Sequence, residues 1–447
     1  MGISRRKFIK GGISMFGGLG VSSIVESRFA LAQSSNSGGK NLVIVNLYGG
    51  LDGMAAFPYY DGSLVSLINN TLRPTIRIPA GNIIPFGAQS GVGQKIGFHP
   101  ALSSLVTHAG SNIKIIKNYG ILGDPGRSHD TCQVLMSLGA SGSTGDVPAM
   151  QGFLARYMDQ QNWESMQFWA LRNDNPSDTH TMKKQPVKVY DLSELEVPRL
   201  WGEGIKLGEY NWNLSQSLID IQNPGDQIDT LQINTLNSVH RTLAIVQSEI
   251  SSQTVGNNIA GKYDEEEHFG RTLRDAAKVL KAKRNSSTLG LSQKNMILLT
   301  GQSGYDTHAD QNNLNVSGNL NELLTTLGNN LAVFYRDLAD FGILQDTVIV
   351  LYSEFGRTTH ENGSQGSPGV GTDHGHGNHT VVLGGPVKAG VIGADPTSTE
   401  LTDEYDAMVP KIDYRDVFSD LFEWLGSNPT EIFNTKDYVR TKLGLIG

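Results

Sequence analysis

Three short apolar runs constrain the fold most. They are Leu42 to Tyr48 (LVIVNLY), Asn295 to Thr300 (NMILLT) and Thr347 to Tyr352 (TVIVLY). Each is rich in β-branched residues and lacks the alternation of a strand with one wet face, so each reads as a strand buried on both faces. Ile113 to Tyr119, Met166 to Leu171 and Thr380 to Leu383 are further strand candidates. Between them lie helical patterns. Thr131 to Leu138 has helical spacing and ends at Gly139, and helices are expected at about 228–252 and 264–284. Leu320, Leu323, Leu324, Leu327, Leu331, Phe334, Leu338 and Phe341 follow the 3.6-residue period of a long amphipathic helix. Tyr414 to Leu425 reads as a closing helix. Buried strands alternating with helices predict an α/β fold with a mostly parallel sheet covered on both faces.

In such sheets ligands bind beyond the C-terminal strand ends. Three of the runs deliver acidic or histidine side chains there: Asp52 in the turn Gly49-Gly50-Leu51-Asp52-Gly53, Asp306 with His308, and Glu354. The Gly-rich stretch after Glu354 adds Asp373, His374, His376 and His379, and four of the 11 histidines lie between His360 and His379. Carboxylates beside imidazoles suit a divalent ion such as zinc, manganese or iron. Bland readings stand beside this one. Asp52 is also a common turn residue, and Asp306 with His308 also suits an Asx-turn beside a surface histidine. Glu354 is also placed for a salt bridge to Arg357, and His376 and His379 also suit an exposed loop. Ser128 is placed to cap the helix that follows. The same geometry offers free backbone N–H groups to an anion and would favour a serine alkoxide beside a metal. His129 is open as ligand, acid/base group or packing residue, and Arg127 and Arg357 are candidate anion clamps.

The N-terminal segment Ser4-Arg5-Arg6-Lys7-Phe8-Ile9-Lys10 is a twin-arginine pattern. A Gly-interrupted apolar region follows, and Ala30-Leu31-Ala32 suggests cleavage after Ala32. The expectation is a 1–32 signal read by the Tat translocase and a signal peptidase, a 33–40 linker, and one domain over 41–447. That domain would work in the periplasm or outside the cell, after export in folded form. Residues 172–225 are irregular and polar and read as an insertion or cap. No 18-residue apolar run argues for a stable membrane span. A formal net charge of −8 without a basic stripe argues against nucleic acid. Cys132 is the sole cysteine, so no disulfide forms within the chain and no thiolate cluster can hold a metal.

Five segments then carry a resemblance: GGLDG, RSHD, YDTHADQ, SEFGRT and GTDHGHGN, at residues 49–53, 127–130, 305–311, 353–358 and 371–378. Behind a twin-arginine signal they resemble the DUF1501 family of exported bacterial proteins, itself similar to the alkaline phosphatase–sulfatase superfamily. The resemblance implies a three-layer α/β/α sandwich of the alkaline phosphatase type. It implies Asp52, Asp306, His308, Glu354, Asp373, His374 and His376 as a pool of ligands for one or two divalent ions. Ser128 would be the nucleophile, with His129 beside it and an arginine, Arg357, on the anion. The expected function is a metal-dependent hydrolase of phosphate or sulfate esters. The rival is a non-catalytic binding or assembly protein of the same fold, and a mutase or transferase is a third option. Two departures stand out. Ser353-Glu354 replaces the superfamily's usual Asp-His, and neither Ser128 nor Cys132 has a proline two residues on, which argues against a formylglycine sulfatase.

Overall fold

The computed structural model describes residues 38–87, 93–142, 151–171, 187–188, 192, 245–312, 314–363, 369–403 and 405–447. The twin-arginine segment and cleavage position lie outside the described residues, as does nearly all of the 172–225 insertion.

Nine strands form the main sheet: β1 (Asn41–Tyr48), β2 (Ile113–Gly120), β3 (Phe168–Ala170), β4 (Val187–Lys188), β5 (Met296–Ser303), β6 (Thr347–Tyr352), β7 (Asn378–Gly384), β8 (Gly390–Ile392) and β9 (Ile412–Asp413). Their order is β8-β2-β7-β6-β1-β5-β3-β4, with β9 also paired to β2. The three apolar runs are the central trio: β1 pairs in parallel with β5 on one side and β6 on the other. Residues of β1 alternate between two cores. Val43, Val45 and Leu47 face one side, where they meet helices α1 (Ser103–Ala109), α4 (His268–Asn285) and α5 (Leu320–Asp340). Leu42 and Ile44 face the other, with α2 (His129–Leu138), α3 (Phe153–Gln160) and α6 (Tyr414–Trp424). Helices thus cover both faces, and the expected three-layer α/β/α arrangement with a mostly parallel sheet is what the chain forms.

One strand departs from the parallel pattern. β7 runs antiparallel to both β6 and β2. Among the described residues between β6 and β7, no helix carries the chain back across the sheet, and β7 returns from the edge where β6 ended. Because β7 reverses twice over, β2 runs the same way as β6. Its following loop and the start of α2 therefore reach the edge served by β1, β5 and β6. Outside this sheet, residues 59–61, 84–85 and 95–98 form a small three-stranded sheet that the sequence pattern does not announce. Among the described residues, no helix is long and apolar enough to cross a membrane.

Candidate metal centre

The loops after β1 and β5 pack backbone to backbone. Gly49 has φ +112°, and a Cβ there would fall 2.4 Å from the Asp306 amide nitrogen. Only glycine tolerates both the angle and the approach. Tyr305 N–H donates to Tyr48 O at 3.1 Å, fixing the start of the 305–308 turn. Asp306 is thereby held over the strand ends.

Three imidazoles converge on it. His308 Nε2 lies 3.0 Å from Asp306 Oδ1, His374 Nε2 3.1 Å and His129 Nε2 3.4 Å. The Nε2 atoms of His308 and His374 are 2.9 Å apart. His129, Asp306 and His374 each bring a ligand atom within 4.8 Å of the others. The far ring nitrogens are all anchored on oxygen: His129 Nδ1 on Glu354 Oε1 at 2.8 Å, His308 Nδ1 on Asp373 Oδ1 at 2.7 Å, and His374 Nδ1 on the Arg127 carbonyl at 2.8 Å. Carboxylates and carbonyls accept, so the network assigns the ring proton to Nδ1 in each case. With all three rings neutral that leaves three Nε2 lone pairs and a carboxylate oxygen facing one another, an arrangement that a bound cation or protonation at Nε2 relieves. The buried His129 Nε2 has no hydrogen-bond partner.

A divalent ion fits this donor set. Imidazole nitrogen with one carboxylate suits zinc, whose tetrahedral ligands at about 2.0–2.1 Å stand roughly 3.3 Å apart. The separations from Asp306 Oδ1 and that between His308 and His374 lie within a few tenths of an ångström of this value. Metal-binding histidines also carry their second nitrogen on a carboxylate or carbonyl, as all three do here.

The electrostatics agree. Burial raises the Glu354 carboxyl pKa, but bonds from His129, the backbone and Gln133 outweigh it and hold the group below its ordinary value. Burial likewise works against ionised Asp306, and Arg357, His308 and His374 overcome it. Asp373 is also lowered, burial being outweighed by His308 and Asn362. The Glu354 bond lifts the His129 pKa against the effect of burial. The centre stays open to water on one side, with the Asp306 and His308 side chains 45% and 43% exposed.

The residues expected from the sequence divide into three groups. His129, Asp306, His308 and His374 meet. Glu354 and Asp373 do not reach the centre; they hold the imidazoles that do. Asp52 and His376 are placed elsewhere. Asp52 is 1% exposed and pairs with Arg73 at 2.8 Å. His376 Nε2–H donates to Ile121 O at 2.7 Å, and its Nδ1 accepts from Tyr405 Oη at 3.0 Å. Burial lowers its pKa. His379 is fully buried, accepts the Asn118 N–H at Nδ1, and is pushed down to about 3 by burial.

Ser128 occupies the N-cap position of α2, but its exposed side chain makes no capping bond. The expected arginine clamps are both engaged. Arg357 is buried and donates to Asp306 Oδ1 at 2.8 Å, to Gly49 O at 3.2 Å and to Thr372. Arg357 thus orients Asp306 and is not open to a substrate anion. Arg127 lies over the Tyr405 ring at 4.3 Å and donates to His374 O at 3.2 Å. Sequence reasoning did not single out Arg73 or Gln133. Arg73 sits in a polar stretch without pattern, whereas Gln133 stands four residues after His129 on α2, the helical spacing that brings it to Glu354.

Residues 282–443 match the family model described as a protein of unknown function, DUF1501. No curated protein matches the chain in sequence. Among solved structures, a protein in the alkaline phosphatase superfamily from Vibrio parahaemolyticus matches at 12% identity and TM-score 0.39, over 92% of this chain and 76% of that one. The lipoteichoic acid synthase LtaP from Listeria monocytogenes matches at 11% and 0.34, over 93% and 81%. A phosphonate monoester hydrolase of Agrobacterium radiobacter matches at 9% and 0.33, over 87% and 74%. At such scores no residue role is taken from them.

Proposed function

We propose that this chain is an exported, metal-dependent hydrolase of phosphate or sulfate esters, with its ion held by His129, His308, His374 and Asp306. The convergence of three Nε2 atoms on Asp306 Oδ1, each ring anchored at Nδ1, carries the reading. When bound, the ion supplies Lewis acidity at the open edge of the sheet. Glu354, Asp373 and the Arg127 carbonyl hold the three rings in the ligating tautomer. The N-terminus of α2 supports an anionic group beside them, because its first N–H groups take no partner among the described residues. Ser128, one residue before His129, presents the hydroxyl suited to accept the transferred group.

The rival is a non-catalytic envelope protein that uses the fold for binding or assembly, with or without a structural ion. Four protein ligands is also the number that closes a structural zinc centre, so in the hydrolase a substrate oxygen would enter as a fifth ligand. The exposure of Asp306 and His308 favours a site that admits substrate. Export by the Tat route, cleavage after Ala32 and a periplasmic or extracellular destination belong to the same proposal. Pairwise lysine substitution of Arg5 and Arg6 should block export.

The test is metal content of the mature protein together with turnover of p-nitrophenyl phosphate and p-nitrophenyl sulfate, with and without EDTA. Bound metal with EDTA-sensitive turnover that Ser128→Ala abolishes is the expected result. Bound metal without turnover of a wider ester panel would favour the structural reading. Absence of metal after reconstitution with zinc, manganese and iron would refute the hydrolase and favour the binding or assembly protein.

A further inference from the structure

Asp52 follows β1 as Asp306 follows β5 and Glu354 follows β6, so a third carboxylate stands at the same sheet edge. Its environment differs from theirs. Oδ1 accepts from Arg73 Nη1 at 2.9 Å and from the Ala55 N–H at 3.2 Å. Oδ2 accepts from Arg73 Nη1 at 2.8 Å and from Gln311 Nε2 at 2.7 Å. A carboxylate offers about four lone-pair sites, and four donor contacts fill them.

The donors are themselves fixed. Gln311 is fully buried. Its Oε1 accepts from Thr307 Oγ1 at 3.1 Å and Thr372 Oγ1 at 2.8 Å, which turns its amide nitrogen toward Asp52. Arg73 is buried as well, with Nε on Thr359 O at 3.0 Å and Nη2 on Thr358 O at 2.5 Å. Thr307, Thr358 and Thr372 are the chain neighbours of Asp306, Arg357 and Asp373. The network therefore lies directly behind the histidine cluster. A second buried guanidinium, Arg357, fills the ground in front by touching both Gly49 O and Asp306 Oδ1.

We infer that the centre takes one divalent ion, and that the second cation at this edge is built into the chain as the Arg73 guanidinium. The inference rests on the metal reading above and specifies it. A second ion would need oxygens of Asp52 that are already saturated. Taking them would strand a buried guanidinium without its counter-charge. Chemistry at this site is thereby limited to what a single ion supports, without a pair clamping both the attacking and the leaving oxygen.

The experiment is a titration of the mature protein, stripped by chelation, with Zn²⁺ and separately with Co²⁺. Mass spectrometry of metal retained after gel filtration and the visible absorption of bound Co²⁺ are the readouts. Both should saturate at one equivalent per chain. Asp52→Asn should keep that stoichiometry with affinity changed by less than about threefold, below what loss of even a supporting residue of a metal site costs. Two equivalents in the unaltered protein would overturn the inference while leaving the metal reading standing. Loss of metal in a folded Asp52→Asn variant would also overturn it, by making Asp52 a ligand. No uptake of either ion would overturn the metal reading, and this inference with it. If Asp52→Asn does not fold, the stoichiometry of the unaltered protein decides.

Discussion

Replacing Glu354 by glutamine separates the charge of this side chain from its shape. Glu354 is 2% exposed, and Oε1 accepts from His129 Nδ1 at 2.8 Å, Gly49 N–H at 2.9 Å and Gln133 Nε2 at 3.2 Å. A glutamine oxygen at that position keeps all three acceptor contacts. Its new amide nitrogen would meet Ser353 Oγ, which stands 3.1 Å from Oε2 and already gives its proton to Leu47 O at 2.6 Å. That hydroxyl can accept one of the two amide hydrogens; the other is left unpaired in the buried site, a cost to the fold of about 1–3 kcal/mol. For metal binding, what matters is the change from a charge-assisted bond to a neutral one. Charged bonds contribute about 1.5–3 kcal/mol and neutral ones about 0.5–1.5, so the loss is about 1–1.5 kcal/mol. That predicts a roughly tenfold weaker metal affinity, at the lower end of the range for residues that orient a ligand. Zinc competition against a chromophoric chelator measures it, and urea denaturation of the metal-free protein checks that the fold is intact. An affinity within about twofold of the unaltered protein would refute the orienting role, because supporting partners normally cost more than that. A loss beyond about a thousandfold exceeds that range and would make Glu354 a ligand itself.

Other perturbations follow from the same geometry. Asp373→Asn should weaken metal by about three- to tenfold, less than Glu354→Gln, since its side chain is 57% exposed and water screens the charge it gives His308; the same competition assay reads it. Gly49→Ala should cost about 2–4 kcal/mol in urea denaturation and weaken metal binding as well. Its Cβ would force the Asp306 backbone aside at a positive φ. His379 predicts an acid effect. Burial depresses its pKa from 6.5 to about 3, so the fold holds it neutral while the unfolded chain protonates. Its contribution is complete above about pH 6.5 and is lost as pH falls toward 3, by up to about 1.4 kcal/mol per unit. A non-titrating His379→Asn variant should show a flatter urea midpoint against pH over that window, and an unchanged slope would refute the assignment.

Much of this layout was legible because burial writes a strong pattern. β1, β5 and β6 are the three apolar runs, and β6 has the boundaries that TVIVLY predicts. α5 spans Leu320–Asp340 against an expected end at Phe341. Gly139 closes α2 at φ 69°, as a glycine there suggests. The edge where Asp306, His308 and Glu354 gather follows from parallel neighbours ending together. The antiparallel return of β7 was not legible, since four buried residues look alike in either direction. Ligand and supporter were also indistinguishable in the sequence. Glu354 and His129 both stand at the edge, and only the direction of the imidazole places one at the centre and the other behind it. Asp52 is the clearest case. Its position after β1 suggests a ligand, and what removes it from the centre is Arg73, 21 residues along and brought in by tertiary folding.

The most direct test of the metal centre is a crystal structure of the zinc-loaded mature protein, with anomalous data collected on both sides of the zinc edge. A peak is expected at about 2.0–2.2 Å from Nε2 of His129, His308 and His374 and from a carboxylate oxygen of Asp306, with none at Asp52. A peak on Asp52, or zinc held away from the three imidazoles, would contradict this ligand set.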